Sequence, residues 1–175
     1  MRIACIGSRK LHQAALDVCR ELGKYVAEYG ICVSGAAPGA DQAFMSGAFM
    51  AGGHVEGHLP WITFEHEFQE KLQGPRVKWY PKPEPRELGR AAAYFEKFRG
   101  FALAQCSPGI QKLMARNVGI VENADAVIAF PQSFGDSGGT QFGMYIGRRI
   151  PIPVLDLSNP EHLSVIDFLN RLRAA

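Results

Sequence analysis

The chain has 175 residues, 47% of them hydrophobic, and a formal net charge of +2. That suits one globular domain with an ordinary core and excludes a disordered or fibrous chain. The near-neutral balance argues against a dominant cationic footprint for nucleic acid, and no apolar run reaches the roughly 18 residues of a membrane span, so no membrane partner is expected.

Arg2 to Ile6 reads as a short apolar strand ended by Gly7. Leu11, Ala15, Val18, Leu22, Val26 and Tyr29 recur at helical spacing, and Gly30 stands where a helix stops. Ile31 to Ser34 is a second strand. The loop from Gly35 to Asp41 leads into a helix whose Gly47, Ala48 and Ala51 predict a close approach to the sheet. Gly52-Gly53 stops it, and His54 to Leu59 reads as a third strand.

Trp61 to Leu72 holds a short helix pattern, and Val77 to Tyr80 an extra short strand. Pro85 suits the start of the next helix, Glu87 to Gln105, which breaks at Gly100. Ser107-Pro108 reads as an N-cap followed by proline in the first helical position, opening a helix to about Glu122. Ala126 to Phe130 is an unbroken apolar run, as for a strand buried on both faces. The glycine-rich loop from Pro131 to Gly139 leads to a helix at Thr140 to Arg148. Pro153 to Leu157 is the last strand, and Pro160 to Arg173 the last helix.

Strands alternating with helices predict an α/β fold: a Rossmann-like open parallel sheet, order about 3-2-1-4-5, helices on both faces. Residues 1–175 form one domain, with a helical insertion at about 61–105. The switch point falls between the first strand and Ala126–Phe130, where ligands bind in open α/β sheets.

Three loops converge there. Gly7, Ser8 and Arg9 offer a tight turn, a hydroxyl and a guanidinium that can fork onto phosphate. Ser34, Gly35, Ala36, Gly39 and Asp41 follow the second strand, where small residues let backbone N–H groups face an anion at a helix start. Pro131, Ser137, Gly138, Gly139 and Thr140 repeat that pattern after the Ala126–Phe130 strand. Each loop also has a plainer reading: a solvated turn at Ser8-Arg9, a helix-capping acid at Asp41, a cap at Thr140.

Taken with Arg116-Asn117 and Ala124-Asp125-Ala126-Val127-Ile128-Ala129-Phe130, these segments resemble the SLOG superfamily. It includes the Lonely Guy phosphoribohydrolases, the DNA-processing protein A domain and molybdenum-cofactor carrier proteins; the chain looks closest to small DNA-processing-protein-A-like members. The resemblance implies a nucleotide or nucleotide-derived ligand, ADP-ribose-like for example, in the crevice, and adds Arg116 and Asn117 to the site. The Lonely Guy enzymes carry a catalytic Glu soon after their glycine-rich loop; here Thr140 is followed by Gln141-Phe142-Gly143-Met144. Asp41, Asp125 and Asp136 are the acids available to stand in for it. Three readings remain open: a nucleotide sensor or carrier, a nucleoside monophosphate phosphoribohydrolase, and a binder of single-stranded DNA. A homo-oligomer is expected.

Cys5 and Cys32 lie in apolar strands as small hydrophobes, and none of the four cysteines is spaced for zinc. Reduced thiols and a start without a signal-peptide pattern predict a cytoplasmic location. His54 and His58 sit on one face of a strand but roughly 13 Å apart, too far to share a metal. No metal or cofactor is implied. Tyr94, Phe98 and Phe101 form an aromatic stripe suited to core packing, or else to self-association or a lid. Trp61 and Trp79 are read as buried, or else as base-stacking platforms. Arg86, Arg90, Lys97 and Arg99 make a locally basic face.

Overall fold

The computed structural model describes residues 1–132, 138–159 and 164–174. Six strands form one parallel sheet: β1 (Arg2–Gly7), β2 (Ile31–Ser34), β3 (Val55–His58), β4 (Val77–Tyr80), β5 (Ala126–Phe130) and β6 (Val154–Asp156). Their order is β4-β3-β2-β1-β5-β6. The first strands wind outward one way and the last two the other, as the alternation predicts. The short Val77–Tyr80 strand extends the sheet by one position at its edge, pairing Val55 with Val77 and His58 with Tyr80.

The helices are α1 (Gln13–Tyr29), α2 (Ala40–Met50), α3 (His66–Lys71), α4 (Pro85–Arg99), α5 (Pro108–Glu122), α6 (Gly139–Arg149) and α7 (Val165–Ala174), with a 3-10 turn at Leu103–Gln105. Local chemistry sets several boundaries. The Ala15 N–H donates to the His12 ring, which starts α1 two residues later than the apolar spacing does. Ser107 Oγ accepts from the Ile110 N–H, so Ser107-Pro108 opens α5 as its pattern predicts. Gly100, at φ +77°, ends α4 in the left-handed region.

Strand alternation splits the core into two layers. Ile3, Cys5, Cys32, Val55 and Ile128 face α1 and α2, whereas Ala4, Ile6, Val33, Val127 and Ala129 face α4, α5 and α6. Gly47 does something other than bring α2 onto the sheet. A Cβ on Gly47 would overlap the Arg20 carbonyl, and one on Gly23 the Phe44 carbonyl, so the close approach is between α1 and α2. Ala51 is exposed and takes no part. On the other face, Phe98 packs on Phe142 and Tyr145, and Phe101 meets Phe95 edge-on. Tyr94 donates its hydroxyl to Glu122, so the aromatic stripe joins α4 to α5 and α6. The basic face is partly neutralised, since Arg90 pairs with the same Glu122. Among the described residues no helix is long and apolar enough to cross a membrane.

β3 breaks the apolar rule on one face. Glu56 and His58 are both buried there, and Glu56 is ion-paired with Arg2. Burial, followed by the nearby Arg2 charge, pushes the His58 pKa down to about 3 from 6.5. In the unfolded chain the ring takes up its proton at about 6.5. The unfolded state therefore binds more protons between these values, and stability is lost as pH falls from about 6.5 towards 3. We expect His58→Phe to flatten that slope by an amount on the order of a few kcal/mol, read by urea unfolding across the window. An unchanged slope would mean that another group sets the acid sensitivity.

Candidate functional site

The turn after β1 is stitched to both neighbours. The Ser8 N–H donates to the Phe130 carbonyl at 2.9 Å, and the Ala40 N–H donates to the Ser8 carbonyl at 3.1 Å. The Lys10 N–H donates to Ser8 Oγ at 3.0 Å. Gly39 lies at φ +91°, where a Cβ would stand 2.6 Å from the Ser8 carbonyl oxygen. Only glycine allows that backbone contact. Ala36 takes φ +56° within the same loop, a conformation that costs a non-glycine residue on the order of 1 kcal/mol and clusters at functional sites.

Asp41 and Arg116 hold this corner together. Both are buried, at 3% and 8% exposure. Asp41 accepts the Gly7 N–H at 3.0 Å and the Ala37 N–H at 3.4 Å, joining the β1 and β2 loops. Arg116 Nη2 stands 4.0 Å from Asp41 Oδ2, and Nη1 donates to the Gly35 carbonyl at 2.5 Å. Burial pushes the Asp41 carboxyl up and the Arg116 guanidinium down; each is the foremost influence holding the other ionised. Asn117 extends the support, donating from Nδ2 to the Gly139 carbonyl at 3.1 Å.

Above this pair lies a cleft of about 440 Å³ at the carboxyl ends of β1 and β5, the switch point of the sheet. Ser8 and Arg9 line one side of it, and Gly138, Gly139 and Thr140 the other. α6 begins there with no side-chain cap and no acid in its first turn, leaving the positive end of its dipole toward the cleft. Arg9 is exposed, and its guanidinium lies 5.9 Å from the Phe64 ring centre; that of Arg116 lies 5.8 Å from the same ring. Phe64 thus braces two cations from the segment between β3 and α3.

Of the expected site residues, Gly7, Ser8, Arg9, Asp41, Arg116, Asn117, Gly138, Gly139 and Thr140 line this cleft together. Ser34, Gly35, Ala36, Gly39 and Pro131 do not line it. Ser34 is fully buried and donates to the Cys5 carbonyl at 2.5 Å, while Gly35 gives its carbonyl to Arg116. Ser137 and Asp136 lie outside the described residues. Asp125 accepts the Arg2 N–H at 2.7 Å, at the start of β5 and so at the other end of the sheet from the cleft. Lys10, Ala37, Leu113, Met114 and Gln132 also line the cleft. Lys10 and Ala37 adjoin chosen residues. Leu113 and Met114 precede Arg116 and Asn117 by three residues in α5, a spacing that alone would have linked them.

Comparison with known proteins agrees with this fold. The family model of DNA recombination-mediator protein A matches residues 1–62. DNA processing protein A from Helicobacter pylori, described for its single-stranded DNA binding mode, superposes with a TM-score of 0.67 at 16% identity, over 99% of this chain and 80% of that one. The molybdenum cofactor carrier protein of Chlamydomonas reinhardtii gives 0.61 at 19% identity, over 99% of both chains. The molybdenum cofactor binding protein of Rippkaea orientalis gives 0.59 at 20% identity, over 98% and 84%. No curated protein matches the chain by sequence.

Removing one partner from a buried ion pair leaves an uncompensated charge, which costs about 3–5 kcal/mol. We expect Asp41→Asn to lower unfolding stability on that scale, and Arg116→Met added to it to recover part of the loss. Urea unfolding of the two variants checks this; strictly additive losses would show that the pair is not coupled.

Proposed function

We propose that this chain, a SLOG-superfamily protein of Rossmann-like fold, binds a nucleotide or nucleotide derivative in the switch-point cleft, as a sensor or carrier. The observation that carries this reading is the meeting of Ser8 and Arg9 with Gly138, Gly139 and Thr140 across one cavity. A phosphate there would meet an exposed guanidinium and the start of α6, where each anionic contact is worth roughly 0.3–1 kcal/mol. A volume of about 440 Å³ falls within the size range of small-molecule sites. Asp41 is the one acid among the described residues lining the cleft, and both its oxygens already accept backbone N–H groups. That supports binding ahead of hydrolysis of a glycosidic bond, which calls for a carboxylate facing the sugar.

Single-stranded DNA is the second reading, favoured by the family-model match over residues 1–62 and by Trp61, partly exposed and edge-on to Phe64. A strand bound through its phosphates loses affinity steeply with salt, whereas a mononucleotide held at one phosphate does so weakly.

A Cβ on Gly139 would meet Asn117 Nδ2 at 3.4 Å and Met114 Cε at 3.9 Å, ordinary contact distances. We expect Gly139→Val to lower the melting temperature by no more than roughly 3 °C, the equivalent of about 1 kcal/mol. Calorimetry against a panel of nucleoside mono- and diphosphates and ADP-ribose should show a ligand for the wild type and an affinity loss of about tenfold or more in the variant. Failure of every member at millimolar concentration, or equal affinity in the variant, would overturn the reading.

A further inference from the structure

α5 presents two successive pairs of side chains to the switch-point cleft. The inner pair is Arg116 and Asn117, buried and engaged with the Gly35 and Gly139 carbonyls. Three residues earlier stand Leu113 and Met114, half-buried and lining the cleft. α5 runs back from the carboxyl edge of the sheet to feed β5, so this earlier pair lies nearer the cleft mouth.

Leu113 packs on the core layer that faces α1 and α2, and Met114 on the layer that faces α4, α5 and α6. The pair therefore spans the edge of the sheet. Met114 also adjoins the start of α6: its Cε is 3.9 Å from the point that a Cβ on Gly139 would occupy. Ile110 lies three residues before Leu113 and four before Met114, hence on the same helix face, and is 41% exposed. An apolar strip thus runs from solvent into the cleft and ends beside Gly139. Single apolar residues on a surface are ordinary, but these three are contiguous and lead into a concave site.

Such a wall gains by the area that it covers and is indifferent to the hydrogen-bonding edge of a base. The Met114 thioether adds a favourable contact with an aromatic ring. Trp61, edge-on to Phe64, does not line the cleft. We propose that the strip of Ile110, Leu113 and Met114 holds the base of a nucleotide whose phosphate lies at the start of α6, and that it favours purines over pyrimidines by ring area. This assignment rests on the nucleotide reading of the cleft, and it sets the base on α5 instead of on Trp61.

Calorimetry of the full chain with the adenosine, guanosine, cytidine and uridine monophosphates tests it, with ribose 5-phosphate as the probe that carries no base. In the wild type the two purine nucleotides should bind tighter than the pyrimidine ones, and at least about tenfold tighter than ribose 5-phosphate. Met114→Gln keeps the length of the side chain but not its apolar surface, and should shrink that advantage about three- to tenfold. Met114→Leu and Trp61→Ala should retain it. Each variant supplies its own ribose 5-phosphate value, so a general loss of stability or of phosphate affinity does not mimic the effect. An unchanged ratio in Met114→Gln, equal affinity for purine and pyrimidine nucleotides, or a loss confined to Trp61→Ala would overturn the proposal and leave the nucleotide reading standing. Binding of none of the four nucleotides at millimolar concentration would overturn the proposal as well, and the nucleotide reading with it if nucleoside diphosphates and ADP-ribose also fail.

Discussion

Two opposite charges withdrawn from water fix the corner on which this molecule is organised. Asp41 belongs to α2, Arg116 to α5, and these helices lie on opposite faces of the sheet. The two side chains meet at the carboxyl end of the sheet, within one buried network. Asp41 takes backbone N–H groups from two loops, Gly7 and Ala37, and Arg116 takes the Gly35 carbonyl. Apolar residues in place of a buried ion pair are often no less stable, but here they would leave the Gly7 and Ala37 N–H groups and the Gly35 carbonyl without these partners and would not orient those loops. The pair's contribution is geometric: it sets the turn after β1 and the loop after β2 in fixed relation to the start of α6.

That arrangement separates rigid from accessible groups. Gly35 has its backbone pressed against Arg116 and Gly39 against the Ser8 turn, and neither lines the cleft. Arg9, Gly138 and Thr140 form its open side. Phe64 adds an apolar plate beneath two guanidinium groups, where Arg–aromatic attraction is worth on the order of 0.5–1 kcal/mol at an exposed site. A preformed cavity of this kind orders few groups when a ligand enters, which favours affinity.

Much of this was legible in the sequence because it depends on local periodicity. The apolar runs Arg2 to Ile6 and Ala126 to Phe130 predict central strands, and their position in the chain predicts the switch point between them. Ser107-Pro108 predicts the start of α5 from capping chemistry alone. What stayed hidden depends on which surfaces meet. Gly47 announces a close contact, but only the fold shows that the partner is the Arg20 carbonyl of α1. The small residues after Ser34 resemble a phosphate cradle; their backbone instead receives Arg116 from 81 residues away. Phe64 lies in a stretch without clear period, so its place between Arg9 and Arg116 has no local signal. The polar alternation Glu56-x-His58 is visible in the chain, but only the fold shows that α5 lies over it.

We propose that the loops held by Asp41 and Arg116 form one anion-recognising surface with the start of α6. The most direct measurement is a backbone amide titration by nuclear magnetic resonance, with adenosine 5′-monophosphate and ADP-ribose added in turn. Saturable shifts are expected to begin at Ser8, Arg9, Gly138, Gly139 and Thr140 and to be absent from the outer edge at β4. Shifts confined to residues outside that cleft, or none with either compound at millimolar concentration, would contradict it.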